Sequence, residues 1–409
     1  MSESRSTPVR KVLFTEEFIQ DPYPTYHRLL EEGPLHLVDV SGGWGVWAVV
    51  SHAECSAVAK DPRFSVKRTS GMLFTLPVER QGEFKELVRL LGLWMIFIDP
   101  PEHTRMRKLM NKGFGPAAAE ALRPQVERIV DRVLDSLDEV SQADLVKELA
   151  YPMPVRVISE LLGVPETMHE AFLRWSVAIA EFNGSPSRTV EQAQSAQTAV
   201  LALTDFFRST VAERRRNKGS DLISLLIDIK EEGEAFTEEE LYAQCVMLLF
   251  AGHETTRNLI ASGIYSLLRQ PEKMTELGDN PALIRSAVEE FLRFESPIQY
   301  TARVTTEPIE LCGVRIPKRQ TILCMLGAAN RDPKQFKDPD TLMLNRLNNQ
   351  HLAFSAGPHF CIGAQLARLE GQVAILRTIQ RFRKMRLAER PEWERNFGFR
   401  GLKTLLVEM

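Results

Sequence analysis

Apolar residues recur at three- and four-residue spacing through the middle of the chain, from about residue 117 to residue 273. This spacing puts them on one face of a helix and predicts amphipathic α-helices. The clearest examples are Pro124–Leu137 and Thr237–Leu268, and the pattern returns at Ala282–Phe294 and Gly363–Phe382. The chain is therefore predicted to be mainly helical.

Strand patterns are few and clustered. Leu35–Val50 alternates around Ser41-Gly42-Gly43, which predicts a β-hairpin, and the alternation in Arg303–Met325 predicts short strands. Asn330–Ser355 is rich in turn residues, and irregular connections of that length are usually functional or firmly held. Because strands and helices do not alternate, we predict a mainly α (α+β) fold with small sheets rather than a doubly wound sheet.

Composition and charge exclude several classes of protein. With 44% hydrophobic residues among 409, the chain can bury a large core, and we expect a single domain over residues 1–409. The net charge of -3 gives no reason to expect a nucleic acid as a partner. The N-terminus lacks a signal-peptide core and Leu90–Ile98 is about half the roughly 18 residues of a membrane helix, so we expect no membrane anchor. Five scattered cysteines indicate a reduced, cytoplasmic protein.

One cysteine stands in an unusual setting, directly before the last predicted helix. The run Phe354-Ser-Ala-Gly-Pro-His-Phe-Cys361-Ile-Gly363 puts it at a helix N-terminus, where backbone N–H groups and the helix dipole favour a thiolate. Gly357 permits a tight turn, Gly363 would let a flat macrocycle approach the backbone, and Phe354 would shield the sulfur. An isolated cysteine is more often a small buried hydrophobe, but this context favours a ligand for haem iron.

A second motif pairs opposite charges on a helix. Glu290 and Arg293 are three residues apart and therefore share a helical face. Such a pair is usually solvated, and the spacing alone predicts no buried network.

A helix start precedes two possible anion donors. In Asp99-Pro-Pro-Glu102 the aspartate is predicted to cap the helix, with proline at its first position. His103 and Arg107 follow on one face of that helix, where they could bind the propionates of a cofactor. The alternative is that His103 is an ordinary exposed residue.

The long central helix contains Phe250-Ala-Gly-His-Glu-Thr-Thr256. Glycine beside two β-branched residues disfavours a regular helix and predicts local unwinding or a π-bulge, a feature common at functional sites. Alternatively, Ala251 and Gly252 could permit another helix to pack closely.

These motifs, in this order over nearly the whole chain, resemble the cytochrome P450 family, specifically its soluble bacterial members. The cysteine run matches the family pattern Phe-x-x-Gly-x-basic-x-Cys-x-Gly. The resemblance implies haem b lying between the central helix and the helix after the cysteine, with Cys361 as the iron ligand. It implies that Arg346 joins Glu290 and Arg293 in a structural network. It also implies further cofactor contacts from Ala251, Arg303, Phe354, His359 and Gly363, beside His103 and Arg107.

The family also implies the reaction: one oxygen atom from O₂ is inserted into an apolar small molecule by hydroxylation or epoxidation. Thr255 and Glu254 would deliver protons, and Gly252 would leave room for oxygen. Their presence disfavours two alternatives, a peroxygenase and a non-catalytic haem-thiolate sensor or carrier. The substrate, whether polyketide, terpenoid, steroid, fatty acid or peptide, stays open. The substrate pocket is predicted by analogy with the substrate-recognition segments of the family. It is expected to include residues of the segment Leu93–Phe97, namely Trp94 and Phe97, together with Phe182, Leu248, Ala251, Ile298 and Leu402.

Electrons must come from outside, because 409 residues leave no room for a fused reductase. We expect NAD(P)H to supply them through a ferredoxin or flavodoxin with its reductase. Lys108, Lys112 and Arg368 are predicted to form a basic docking patch on the cysteine side, although ordinary solvated charge is an equal alternative.

Overall fold

Helices make up most of the structure, as their dominance of the sequence pattern predicts. The computed structural model describes residues 13, 15–40, 44–185, 187–229 and 233–409. The α-helices are α1 Glu16–Gln20, α2 Tyr23–Glu32, α3 His52–Lys60, α4 Val78–Gln81, α5 Lys85–Gly92, α6 Glu102–Phe114, α7 Pro116–Ala121, α8 Arg123–Asp135, α9 Pro152–Leu161, α10 His169–Gly184, α11 Val190–Arg216, α12 Leu222–Asp228, α13 Glu238–Leu268, α14 Pro271–Asp279, α15 Ile284–Phe294, α16 Leu326–Ala329 and α17 Ala364–Arg381.

The strands form small sheets at the edge of this helical body. The largest described sheet has the order β1-β2-β8-β5-β3, and β1 pairs antiparallel with β2 as the predicted hairpin requires. The predicted turn, Ser41-Gly42-Gly43, lies outside the described residues. The strands are β1 Leu35–Val40, β2 Trp44–Val49, β3 Phe64–Ser65, β4 Gln142–Asp144, β5 Thr301–Thr305, β6 Ile309–Leu311, β7 Val314–Ile316, β8 Thr321–Cys324, β9 Arg386–Leu387 and β10 Leu406–Glu408.

The central helix α13 links the two largest hydrophobic clusters. Its N-terminus is fixed by a capping box, in which the Thr237 hydroxyl accepts the Glu240 N–H and the Glu240 carboxylate accepts the Thr237 N–H. One cluster packs residues 241–250 of α13 with α5, α10 and α11. The other packs the part of α13 that starts at Leu259 with α8, α15 and α17. The stretch 251–258 lies between them, so the fold places the polar residues of α13 where the two cores separate.

The predicted unwinding of this stretch is wrong. Phe250–Thr256 is regular α-helix, and the two threonine hydroxyls find acceptors one turn back in the same helix. Thr255 Oγ1 donates to Ala251 O at 2.9 Å and Thr256 Oγ1 donates to Gly252 O at 3.1 Å. A π-helical turn occurs elsewhere, at Val146–Ala150.

The predicted capping role of Asp99 is also wrong. Helix α6 begins at Glu102, and Pro101 stands at its cap position without a side-chain hydrogen bond. The Asp99 carboxylate instead accepts the Val66 N–H at 2.8 Å and the Ser65 hydroxyl. Asp99 therefore ties the start of α6 to β3.

Candidate active site and cofactor-binding site

The cysteine loop is closed by its own backbone. Cys361 N donates to Phe354 O at 3.0 Å, and Phe360 N donates to Gly357 O at 3.0 Å. Gly357 has φ +70, and a Cβ there would lie 2.7 Å from the carbonyl oxygen of Ala59. Glycine is thus required both for its backbone conformation and for the contact with α3.

Cys361 borders an internal space. Its side chain has accessible surface although it lies deep in the protein. Burial raises the pKa of the Cys361 thiol, and the Gly363 N–H and the Arg107 charge only partly oppose this. A thiolate at this position therefore needs a further cation, such as a metal ion. A Cβ on Gly363 would meet nothing within 4 Å, which leaves the loop open to a flat group.

A buried ion network braces the irregular segment that precedes the loop. Arg293 donates to both carboxylate oxygens of Glu290, at 2.7 and 2.8 Å, and Arg346 Nε lies 3.0 Å from Glu290 Oε2. The side chains of Glu290 and Arg293 are 0% exposed, so solvent does not weaken their pairing. Both arginines also donate to backbone carbonyls of the segment, namely those of Asn330, Pro339, Lys337, Asp338 and Thr341.

A group of cations and imidazoles faces the same space. The rings of His103 and His359 are 4.0 Å apart, and His103 is buried with neither ring nitrogen hydrogen-bonded. Burial, His103 and Arg303 lower the pKa of His359 to about 3. Arg303 makes no ion pair among the described residues, and Arg107 donates to Phe360 O at 2.7 Å. Two arginines that have no carboxylate partner within the described ranges, and a buried imidazole without a hydrogen bond, suit a ligand with several anionic oxygens, such as haem with its two propionates.

The acidic residue of α13 is held in a second ion network. Glu254 is buried and its carboxylate oxygens lie 3.0 and 3.3 Å from Arg257 Nη1. Arg257 also pairs with Glu394, whose side chain is 34% exposed, and donates to Leu402 O at 3.0 Å. This network connects the middle of α13 to the protein surface.

The neighbours of Glu254 divide between two faces of α13. Ala251 is exposed and Thr255 half-buried, one turn apart on one face, although most of α13 is buried. On another face, a Cβ on Gly252 would lie 3.3 Å from Ile158 Cδ1 of α9. This short distance supports the alternative in which Gly252 allows another helix, α9, to pack closely against α13.

Comparison with known proteins identifies this arrangement. The family model for cytochrome P450 matches residues 84–399. The chain is 41% identical over 399 residues to the cytochrome P450 monooxygenase PikC of Streptomyces venezuelae, covering 96% of this chain and 92% of the other. A crystal structure of P450BioI with an acyl carrier protein superposes with TM-score 0.90 at 34% identity, covering 96% of this chain and 99% of that one. The chain belongs to the cytochrome P450 family.

Membership confirms the predicted fold class and activity: the protein is an oxidoreductase, a haem-thiolate monooxygenase with haem as cofactor. A further curated relative, the biotin biosynthesis cytochrome P450 of Bacillus subtilis, is 36% identical over 96% of this chain and 97% of its own length. None of the described helices is both long and apolar enough to cross a bilayer.

The P450 pocket residues predicted from the sequence are not all brought together. Trp94 and Phe97 stack with centroids 6.3 Å apart, and both belong to one cluster with Phe182 and Leu248. Ile298, half-buried, forms a β-bridge with a residue not predicted, Phe399, whose ring lies 6.1 Å from that of Phe250. Leu402 is fully buried in the other large cluster, where its carbonyl accepts from Arg257.

Arg368 does not present a free charge to a redox partner, contrary to its predicted place in the basic patch. Its guanidinium binds the Glu289 carboxylate through two hydrogen bonds, of 2.6 and 2.8 Å, and covers the Phe354 ring at 4.6 Å. Burial would raise the pKa of Glu289, but hydrogen bonds from Arg368 and His351 lower it to about 2. Lys108 and Lys112 are exposed on α6.

Sequence reasoning missed Arg68, in the loop after β3. Its guanidinium lies 4.6 Å from the Phe97 ring, and burial and Arg303 lower its pKa to about 9. No spacing or motif marks this residue in the sequence, because its neighbours come from distant parts of the chain.

Proposed function

We propose that this P450 hydroxylates or epoxidises an apolar small molecule and that Cys361 is the protein ligand of its haem iron. The observation that carries the assignment is the Cys361 thiol beside His103, whose ring nitrogens have no hydrogen-bond partner, and Arg303, a buried cation without a carboxylate partner in the described part of the chain. When bound, haem supplies reductive activation of O₂. Phe354 would shield the sulfur, while Gly363 and Ala251 leave room on either side of the ring.

Proton delivery is assigned to two residues of α13. The Thr255 hydroxyl, now donating to Ala251 O, would hold a proton at the oxygen-binding side. The Glu254 carboxylate would accept protons from water and pass them inward, while Arg257, which stays protonated, would hold Glu254 and the partly exposed Glu394 in place. We assign Gly252 to packing against α9 rather than to the oxygen site.

The substrate class is proposed from the pocket and from the relatives. We propose a mainly apolar lining from Phe97, Leu248 and the half-buried Ile298, to which we add Phe399, and we retain the fully buried Trp94, Phe182 and Leu402 as predictions. Solved relatives carry hexadec-9Z-enoic acid on an acyl carrier protein, myristic acid, or testosterone. A fatty-acid-like, steroid or polyketide-derived molecule fits this range.

Electrons are proposed to reach the haem from NAD(P)H through a ferredoxin or flavodoxin with its reductase. Docking would use the cysteine side of the protein, near Lys108 and Lys112. Association should then slow as ionic strength rises.

The ligand assignment is tested by the reduced carbon monoxide spectrum of the holoenzyme. The wild type should show the red-shifted band of thiolate ligation, and Cys361→His should lose it. Cys312→Ser, which changes an exposed cysteine, is the matched control and should keep the band. A thiolate-like spectrum in Cys361→His would assign the iron to another cysteine.

The proton assignment is tested by coupling, the ratio of product formed to reduced nicotinamide consumed. Thr255→Ala should accept electrons but release reduced oxygen species, and Glu254→Gln should slow turnover by roughly 10²–10⁴-fold. Thr256→Ala removes a neighbouring hydroxyl that bonds only to Gly252 O in the described contacts, and it should leave coupling unchanged. An unchanged ratio in Thr255→Ala would contradict the proton assignment and leave the haem-thiolate assignment standing.

A further inference from the structure

Arg188 is held in a fixed position between α10 and α11. Its backbone N–H donates to Thr75 Oγ1 at 3.0 Å, and the Thr75 hydroxyl lies 3.2 Å from Arg188 O. Its side chain folds inward, where Nε donates to Phe182 O at 2.7 Å and the guanidinium lies 5.1 Å from the Phe182 ring. The cation is thereby fixed beside a predicted pocket residue.

Tyr300 and Arg68 approach the same corner from other elements. Gly398 N donates to Gly184 O at 3.1 Å, and a Cβ on Gly398 would lie 3.5 Å from Tyr300 Cε1, so Tyr300 packs at the end of α10. Burial raises the pKa of Tyr300, and the charges of Arg188 and Arg68 oppose this. All three side chains lie deep in the protein yet keep some accessible surface, so they face an internal space.

No acidic partner for these cations is found in the described part of the chain. Neither Arg68 nor Arg188 makes an ion pair there, and Tyr300 is the one group that raises the pKa of either. Burying a cation without an anion is costly, and folds rarely retain one without a ligand or a special role.

The haem propionates do not account for Arg188. The recorded contacts of Arg188 are with Thr75, Phe182 and Asn183, whereas His103 and His359 pack on each other at the propionate side. Arg68 lies between the two groups, since it interacts with both Arg303 and Arg188. Arg188 and Tyr300 therefore mark a second anion position, displaced from the first toward Phe182.

We propose that Arg188 and Tyr300, supported by Arg68, bind the carboxylate of the substrate. On this proposal, which rests on the proposed function, the substrate is an otherwise apolar carboxylic acid held by its acid end. Guanidinium and phenol donors match two carboxylate oxygens, and the aromatic rings of Phe182 and Phe97 support the cations.

The test compares acids with their methyl esters, which lack the negative charge and carry one more methyl group, by the spin-state change of the ferric holoenzyme. Three pairs of different shape are used: myristic acid, deoxycholic acid and 4-phenylbutyric acid, each with its ester. At least one acid should bind the wild type roughly tenfold to hundredfold more tightly than its ester. Arg188→Gln should abolish that preference while ester affinity stays unchanged, and Arg188→Lys should keep part of it. Arg174→Gln, on the exposed face of α10, is the matched control and should behave as wild type.

Three outcomes would overturn the proposal. The first is that no acid binds the wild type more tightly than its ester. The second is that Arg188→Gln weakens acid and ester alike, as a packing role requires. The third is that Arg188→Gln accelerates haem loss without changing the preference, as a propionate contact requires. The reduced carbon monoxide band is recorded for every variant, because its presence shows that the haem-thiolate assignment stands whichever result is found.

Discussion

The two sides of the candidate haem site differ in whether their arginines are paired with carboxylates. On the cysteine side, which comprises residues 330–363 with α15 and α17, arginines are paired with carboxylates: Arg293 and Arg346 with Glu290, and Arg368 with Glu289. On the donor side, the cations Arg68, Arg188 and Arg303 make no ion pair among the described residues, and His103 has no hydrogen-bond partner.

This difference separates groups that stabilise the fold from groups suited to ligands. A buried charge that is paired within the chain can brace irregular backbone, as Glu290 does when it also accepts the Met343 N–H at 2.9 Å. Cations that lie inside a protein without a carboxylate partner are uncommon, because they lose hydration and neutral hydrogen-bond acceptors compensate only in part. Their concentration on one side therefore indicates where anionic groups bind.

The largest expected effect comes from breaking the cysteine-side network. Arg293→Ala leaves the Glu290 carboxylate partly uncompensated, and removing one partner of a buried pair typically costs about 3–5 kcal/mol. The free energy of unfolding, measured by urea denaturation of the holoenzyme, should fall by that amount, with loss of the thiolate band in the unfolded fraction. Arg383→Ala breaks an exposed pair with Asp279 and should change stability by less than about 1 kcal/mol. Equal losses in the two variants would show that the network does not brace the loop.

A donor-side change should affect haem retention more than folding. His103→Phe removes ring nitrogens that have no protein partner, so the unfolding free energy of the apoprotein should change little. A hydrogen bond to a charged propionate is worth roughly 1.5–3 kcal/mol, so haem transfer to apomyoglobin should accelerate about tenfold to hundredfold. If apoprotein stability fell while the transfer rate stayed constant, His103 would belong with the structural groups.

Glu370 is the exception on the cysteine side, since it is buried on α17 and its Oε2 has no partner. Burial raises the pKa of this carboxyl well above 4.5, so the folded protein keeps a proton that the unfolded chain releases. Wild-type stability should therefore be greatest below the unfolded pKa and fall as pH rises towards the folded pKa, by at most about 1.4 kcal/mol per pH unit. Because the glutamine in Glu370→Gln cannot titrate, the urea midpoint of this variant should increase relative to that of the wild type as pH rises. If the stabilities of the wild type and the variant depended on pH in the same way, a cation would have to pair with Glu370 in the folded protein.

Much of the fold was predictable because its signals are local. Thr237 and the apolar spacing after it place α13 to within one residue, and the glycine at 357 has the positive φ expected of its turn. Long-range pairings were predictable only through family resemblance: Glu290 and Arg293 at three-residue spacing do not reveal that both are buried, or that Arg346 joins them.

The errors have the same origin. Asp99 fits a cap motif, but β3 competes for its carboxylate, and Arg368 reads as a surface charge although Glu289 of α15 neutralises it. Arg68 and Arg188 carry no motif because their importance lies in the absence of a nearby acid, which only the assembled fold reveals.

The smallest expected effect concerns Gly252, which lies on α13 where the two largest hydrophobic clusters separate. Alanine gains about 1 kcal/mol of helix propensity, but its Cβ would come within 3.3 Å of Ile158 Cδ1, so Gly252→Ala should change unfolding free energy by less than about 1 kcal/mol. Ile158→Val removes the contacting methyl group, and the double variant should therefore be more stable than the sum of the single changes predicts. A packing role leaves the coupling of product to reduced nicotinamide at the wild-type value in Gly252→Ala. If Gly252→Ala lost coupling and the added Ile158→Val change did not restore it, the predicted role of Gly252 in leaving room for oxygen would be supported instead.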